Sequence, residues 1–150
     1  MKIKKFTISL ILLLALVLPT TAYAQDTTNN DIEYLEDGSF FMTKLSESNG
    51  FLRSSKSATK SVTYYDSTGI AQWNFSLTGT FTYNNSTSSA TGSSARVTIY
   101  KSSWSTTSKS ASYSSNKATG TVKVSKTTLG GTTTIPKTLT ITCSKTGTIS

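Results

Sequence analysis

The chain has 150 residues, with 15 basic and 7 acidic side chains for a formal net charge of +8, one cysteine and no histidine. A lone cysteine excludes an internal disulfide. The absence of histidine excludes the Ser-His and Cys-His nucleophile pairs and removes the commonest metal ligand.

The N-terminus carries Lys2, Lys4 and Lys5 and then a mostly apolar run from Phe6 to Leu18. Pro19 ends it, and Ala22-Tyr23-Ala24 follows. A basic head, an apolar middle too short to span a bilayer and a small-x-small site predict a secretory signal peptide over residues 1–24. Cleavage after Ala24 leaves twelve basic residues against the seven acids. Residues 25–32 are expected to be a flexible N-terminus, and residues 33–150 a single domain. Every acid lies at or before Asp66, while Arg96, Lys101, Lys109, Lys117, Lys123, Lys126, Lys137 and Lys145 follow it. A basic field of that kind favours anionic partners.

Along the mature chain, Glu36-Asp37-Gly38-Ser39 predicts the turn of a first hairpin returning through Phe40 to Leu45. Ser46 to Ser57 is Ser-rich and reads as a loop, with Phe51 and Leu52 pinned to the domain. Lys60 to Tyr65 reads as a strand, and Asp66-Ser67-Thr68-Gly69 as a turn. From Ile70 to Tyr83 the register Trp73, Phe75, Leu77, Gly79, Phe81, Tyr83 alternates with Asn and hydroxyl residues. This period of two makes the segment the central strand, one face buried and one wet. Gly79 on the apolar register predicts a bulge or a close backbone approach.

Ser86 to Ser94 reads as a polar stretch, Arg96 to Tyr100 as a strand, and the residues between Trp104 and Lys109 as polar connection. Ser114-Ser115-Asn116 is a turn. Ala118, Gly120, Val122 and Val124 alternate with polar residues. Gly130-Gly131 predicts a two-residue hairpin loop, and Ile135-Pro136 opens a last arm on an edge or bulge. Leu139, Ile141 and Cys143 share one side of that arm, which places Cys143 among buried residues. No segment after the leader keeps a helical apolar period. Short strands rich in β-branched Thr and punctuated by turns predict an all-β fold, an antiparallel β-sandwich, Ig-like or similar.

The motifs Leu35-Glu36-Asp37-Gly38-Ser39, Tyr64-Tyr65-Asp66-Ser67-Thr68-Gly69, Trp73, Gly79-Thr80-Phe81-Thr82-Tyr83-Asn84, Trp104, Asn116-Lys117-Ala118 and Thr140-Ile141-Thr142-Cys143 occur in this order over nearly the whole mature chain. In this the chain resembles a group of small exported all-β proteins of Gram-positive bacteria. The resemblance implies export and an all-β fold and brings no catalytic residue. It also implies a second cysteine in relatives near the position of Ala90, and hence that Ala90 and Cys143 lie close together.

Catalytic chemistry finds little footing. The neighbouring pairs Ser55-Lys56, Ser108-Lys109 and Ser144-Lys145 would point to opposite faces of a strand, which makes them poor dyads. The carboxylates sit in turns and in the N-terminal part, lack the spacing of a calcium loop, and do not suggest a glycosidase pair. No phosphate-binding glycine loop is present, and no metal or cofactor is expected. The aromatic residues Tyr65, Tyr100, Trp104 and Tyr113 are the remaining lead, with Trp104, Tyr100 and Lys101 as the expected binding residues. These features predict a secreted, non-enzymatic, monomeric protein, free or retained at the cell envelope, that binds an anionic wall polymer, a glycan or a protein. No nucleic acid and no stable membrane span are expected. The alternatives are a membrane-acting, pore-forming protein whose Ser/Thr arms from Ser110 to Thr128 become barrel strands, and an assembly module that adds strands through an open edge.

Overall fold

The computed structural model describes residues 30–49 and 54–150. The leader, the residues before Asn30 and the expected pinning by Phe51 and Leu52 lie outside them. Eight strands form: β1 (Asn30–Tyr34), β2 (Phe40–Asn49), β3 (Ser55–Tyr65), β4 (Ala71–Tyr83), β5 (Ser88–Ile99), β6 (Trp104–Ser114), β7 (Lys117–Thr128) and β8 (Gly131–Thr142). They make an antiparallel five-stranded sheet, β1 to β5, and a three-stranded sheet, β6 to β8. The described fold is all-β, and β7 and β8 lie across β3, β4 and β5 to form a sandwich. In both sheets consecutive strands are neighbours. This up-and-down order differs from the Greek-key order of an Ig-like domain.

β4 is central. Trp73, Phe75, Leu77 and Phe81 are buried on its inner face, and Asn74, Ser76 and Thr78 face outward. The second layer meets them with Ala118, Val122 and Val124 of β7 and Leu139 and Ile141 of β8. Gly79 and Gly120 supply the close approaches. A Cβ on Gly79 would stand 2.8 Å from the Phe81 ring and 2.9 Å from Cβ of Ala118. The β4–β5 register shifts between Thr80 and Phe81, one residue beyond Gly79.

One turn recurs three times. Leu35–Ser39, Asp66–Ile70 and Ser144–Thr148 each place a glycine (Gly38, Gly69, Gly147) with φ near +80° at the fourth position. Each closes the same pair of bonds: the glycine N–H donates to the first carbonyl, and the first N–H donates to the fifth. This is the type I turn with a left-handed glycine that suits a twisted hairpin.

The structure extends several strands beyond their sequence signals. β1 starts at Asn30, inside the stretch expected to be flexible, because it pairs with Phe40–Lys44 of β2. Ser46–Asn49 of β2 pair with Lys56–Thr59 of β3, and Ser55 pairs with Thr82 of β4, rather than forming a loop. Ser88–Ser94 is the first half of β5, paired with Gly79–Tyr83 and Thr78. Trp104–Ser114 is one strand. In Ser46–Asn49, Ser88–Ser94 and Ser105–Ser114 small and hydroxyl residues predominate at the paired positions, so a partner strand sets their conformation and local pattern does not. The last hairpin loop is Leu129-Gly130, one residue earlier than expected, since Thr128 pairs with Gly131. Pro136 lies on β8, an edge strand, where its missing N–H costs no ladder bond.

Candidate functional site

The crossover between the sheets, residues 100–103, separates the three expected binding residues. The Tyr100 and Lys101 amides both donate to the Gln72 carbonyl, at 2.9 and 3.2 Å. Both side chains face solvent. Trp104 does not. It is 7% exposed, meets Tyr64 edge-on at 5.5 Å, and donates its indole N–H to Gln72 Oε1 at 3.1 Å. The expectation of an outward indole is thereby corrected. Trp104 pairs with Lys126 on the inner register of β7, so its ring closes the core. Gln72 in turn donates to Asp66 Oδ2 at 2.7 Å. Asp66 also accepts from the Thr68 hydroxyl and the Thr68 and Ile70 amides. Those bonds, the Thr68 hydroxyl foremost, together with the charge of Lys101, hold its carboxyl below the ordinary value of 3.8. This corner is a structural clasp.

Tyr65 is half-buried and stacks on Phe40 at 4.7 Å with the planes 8° apart, and Phe40 meets Tyr34 at 5.5 Å. Rings stacked on one another present edges to solvent and do not make a flat platform for a sugar.

The outer face of β6–β7–β8 has a different character. Strand pairing aligns Ser105, Ser125 and Thr134 in one row, then Ser110, Thr121 and Thr138, then Ser112, Thr119 and Thr140. Hydroxyls bond across the rows, Ser110 to Thr121 at 2.7 Å and Ser125 to Thr134 at 2.8 Å. Lys117 and Lys123 on the middle strand are exposed on this face. No acid occurs anywhere in residues 67–150. The other lysines of this sheet, Lys109, Lys126 and Lys137, fall on the inner register at its margins, beside Val122, Trp104 and Val122 respectively. Long lysine stems can cover apolar surface there while the ammonium reaches outward.

At the β6–β7 turn lies a cavity of about 420 Å³ lined by Ser112, Ser114, Lys117 and Thr119 of the outer register, by Asn116, and by Tyr113, which pairs with Ala118 on the inner register. Tyr113 and Lys117 are exposed. Asn116 Nδ2 donates to the Cys143 carbonyl at 2.8 Å, which fixes the amide and the turn. A second cavity, about 280 Å³, lies at Ser54, Thr82, Tyr83, Asn84, Thr87 and Ser89 and has no charged lining residue.

Neither a nucleophile nor a metal site assembles among the described residues. Ser108 pairs with Lys123 on the outer face and Lys109 with Val122 on the inner one, so their side chains diverge. Cys143 is buried, and desolvation pushes its thiol pKa up, away from the reactive thiolate. No three Asp, Glu or Cys side chains of the described residues gather as metal ligands. Tyr113 belongs to the aromatic leads of the sequence but not to the three expected binding residues, and Lys117 belongs to neither. The Ser114-Ser115-Asn116 turn brings the ends of β6 and β7 together. Comparison with protein-family models, curated proteins and solved structures finds no match.

Proposed function

We infer that the chain is an exported, non-enzymatic binding module that holds an anionic envelope polymer or acidic glycan on the outer face of β6–β7–β8. The observation that carries this reading is the acid-free hydroxyl face, with Lys117 and Lys123 along its middle and the Tyr113–Lys117 cavity at one end. Hydroxyls aligned in rows can exchange hydrogen bonds with sugar or phosphodiester oxygens. The lysines supply attraction for a negative chain.

The test is binding of the exported form, beginning at Gln25, to a polyglycerol-phosphate polymer and to an acidic polysaccharide across a salt series. Binding at low salt should weaken steeply as salt is added. Lys117→Glu with Lys123→Glu should lower affinity by about tenfold or more, the equivalent of about 1.4 kcal/mol. No binding to either polymer at low salt would remove this reading.

A further inference from the structure

The hairpin joining β7 and β8 projects past the end of β6, whose pairing with β7 stops at Trp104 and Lys126. Every residue from Thr127 to Thr134 is exposed. Leu129 stands in the two-residue loop with a relative exposure of 111%. Two-residue loops favour Asn, Asp or Gly, whose backbones suit the turn. A leucine there gains nothing from the turn and buries nothing within the fold.

The rest of the hairpin is suited to leaving water. It carries no charge from Thr127 to Pro136. Its backbone pairs across Thr127–Thr132 and Thr128–Gly131. Three of its hydroxyls are bonded within it: Thr127 to Thr132 at 3.1 Å, and Thr128 Oγ1 to the Gly131 carbonyl at 3.3 Å. Polar groups already satisfied inside an element cost less to desolvate. Lys126 sits at the hairpin base, 5.8 Å from the Trp104 ring centre. Exposed Lys101, Tyr100 and Ile70 lie at the same end, joined through Gln72. The acids of that end, Glu36, Asp37 and Asp66, belong to turns of the other sheet, and Asp37 and Asp66 are bonded within their turns.

We propose that this end docks on an anionic lipid surface, with Leu129 entering the interface and Lys101 and Lys126 set against the headgroups. An isolated apolar tip above a base that carries lysines matches a lipid boundary, which needs no shape complementarity and attracts basic side chains. One leucine and two lysines make the contact peripheral and reversible. It uses residues distinct from the polymer-binding face.

The experiment is co-sedimentation of the form beginning at Gln25, which retains all eight strands, with phosphatidylcholine vesicles with and without phosphatidylglycerol. Binding is expected with phosphatidylglycerol and should be much weaker without it. Leu129→Asp should lower the vesicle partition coefficient about tenfold or more while leaving polymer binding unchanged. Leu129→Trp should still bind, with its indole emission shifting to the blue on vesicle addition. Lys117→Glu should leave vesicle binding intact. No sedimentation with anionic vesicles, equal binding by Leu129→Asp, or binding lost in Lys117→Glu but kept in Leu129→Asp would each overturn the proposal.

Discussion

At Gly79 the apolar register of β4 has no side chain of its own, and the Phe81 ring covers the gap while Ala118 closes it from the other sheet. A methyl group there has no free direction. Gly79→Ala is expected to destabilise the fold by about 1–3 kcal/mol, as overpacking of a tight core does, read as a lower urea midpoint. Asp37 and Asp66 are both held below the ordinary carboxyl value, in each case first by a side-chain hydroxyl of their own turn, Ser39 or Thr68. A carboxylate depressed in the folded state adds stability above its unfolded pKa and loses it as pH falls through the folded one. The melting temperature should therefore drop as pH is lowered below about 4. Asp66→Asn should flatten that drop, and an unchanged acid slope in this variant would count against the clasp.

At the scale of elements, the sheet edges at β1, β6 and β8 each carry a guard. β1 turns Glu33 inward to meet Lys137 Nζ of β8 at 2.6 Å, and that ammonium lies 3.9 Å from the Phe41 ring centre. β8 carries Pro136, and β6 has a register shift between Thr106 and Ser108 next to Lys109. Inward charges, proline and bulges discourage edge pairing, which argues against an assembly module built by strand addition. β1 itself has only exposed residues and is held by its ladder with β2, the Tyr34–Phe40 ring contact and this ion pair. Lys137→Ala should therefore speed amide exchange across Asn30–Tyr34 while changing global stability by less than about 1 kcal/mol, since the ion pair is partly exposed. Exchange rising equally in β4 would mean that the clamp supports the whole sandwich.

For the whole molecule, the two ends of the sandwich differ. One carries the Asp66 clasp, the sheet crossover and the Leu129 hairpin. The other is closed by the C-terminal residues, where Asn85 and Ser88 bond the Lys145 and Cys143 carbonyls and Thr142 pairs both ways with Ser150. Ala90 and Cys143 are both buried at that second end, and their amides donate to the adjacent carbonyls of Ser115 and Asn116. Ala90→Cys is expected to bridge to Cys143 under oxidising conditions, seen as loss of both free thiols in the folded monomer. Two thiols that stay titratable would place the Cα atoms beyond the reach of about 7 Å that a disulfide allows.

The sequence alone determined the strand period of β4, its buried residues and the turns at Gly38 and Gly69, because alternation and turn chemistry are local properties. It also determined that the acids end at Asp66. Only the tertiary structure decided that the acid-free residues after Asp66 make up β4 and β5 of the first sheet and the whole of the second, that the hydroxyl stretches of β2, β3, β5 and β6 are strands, and that Trp104 points inward while Tyr113 lines a cavity. A Ser- or Thr-rich strand carries no apolar stripe to mark its faces, so its conformation and the side of each residue come from the register imposed by its partners.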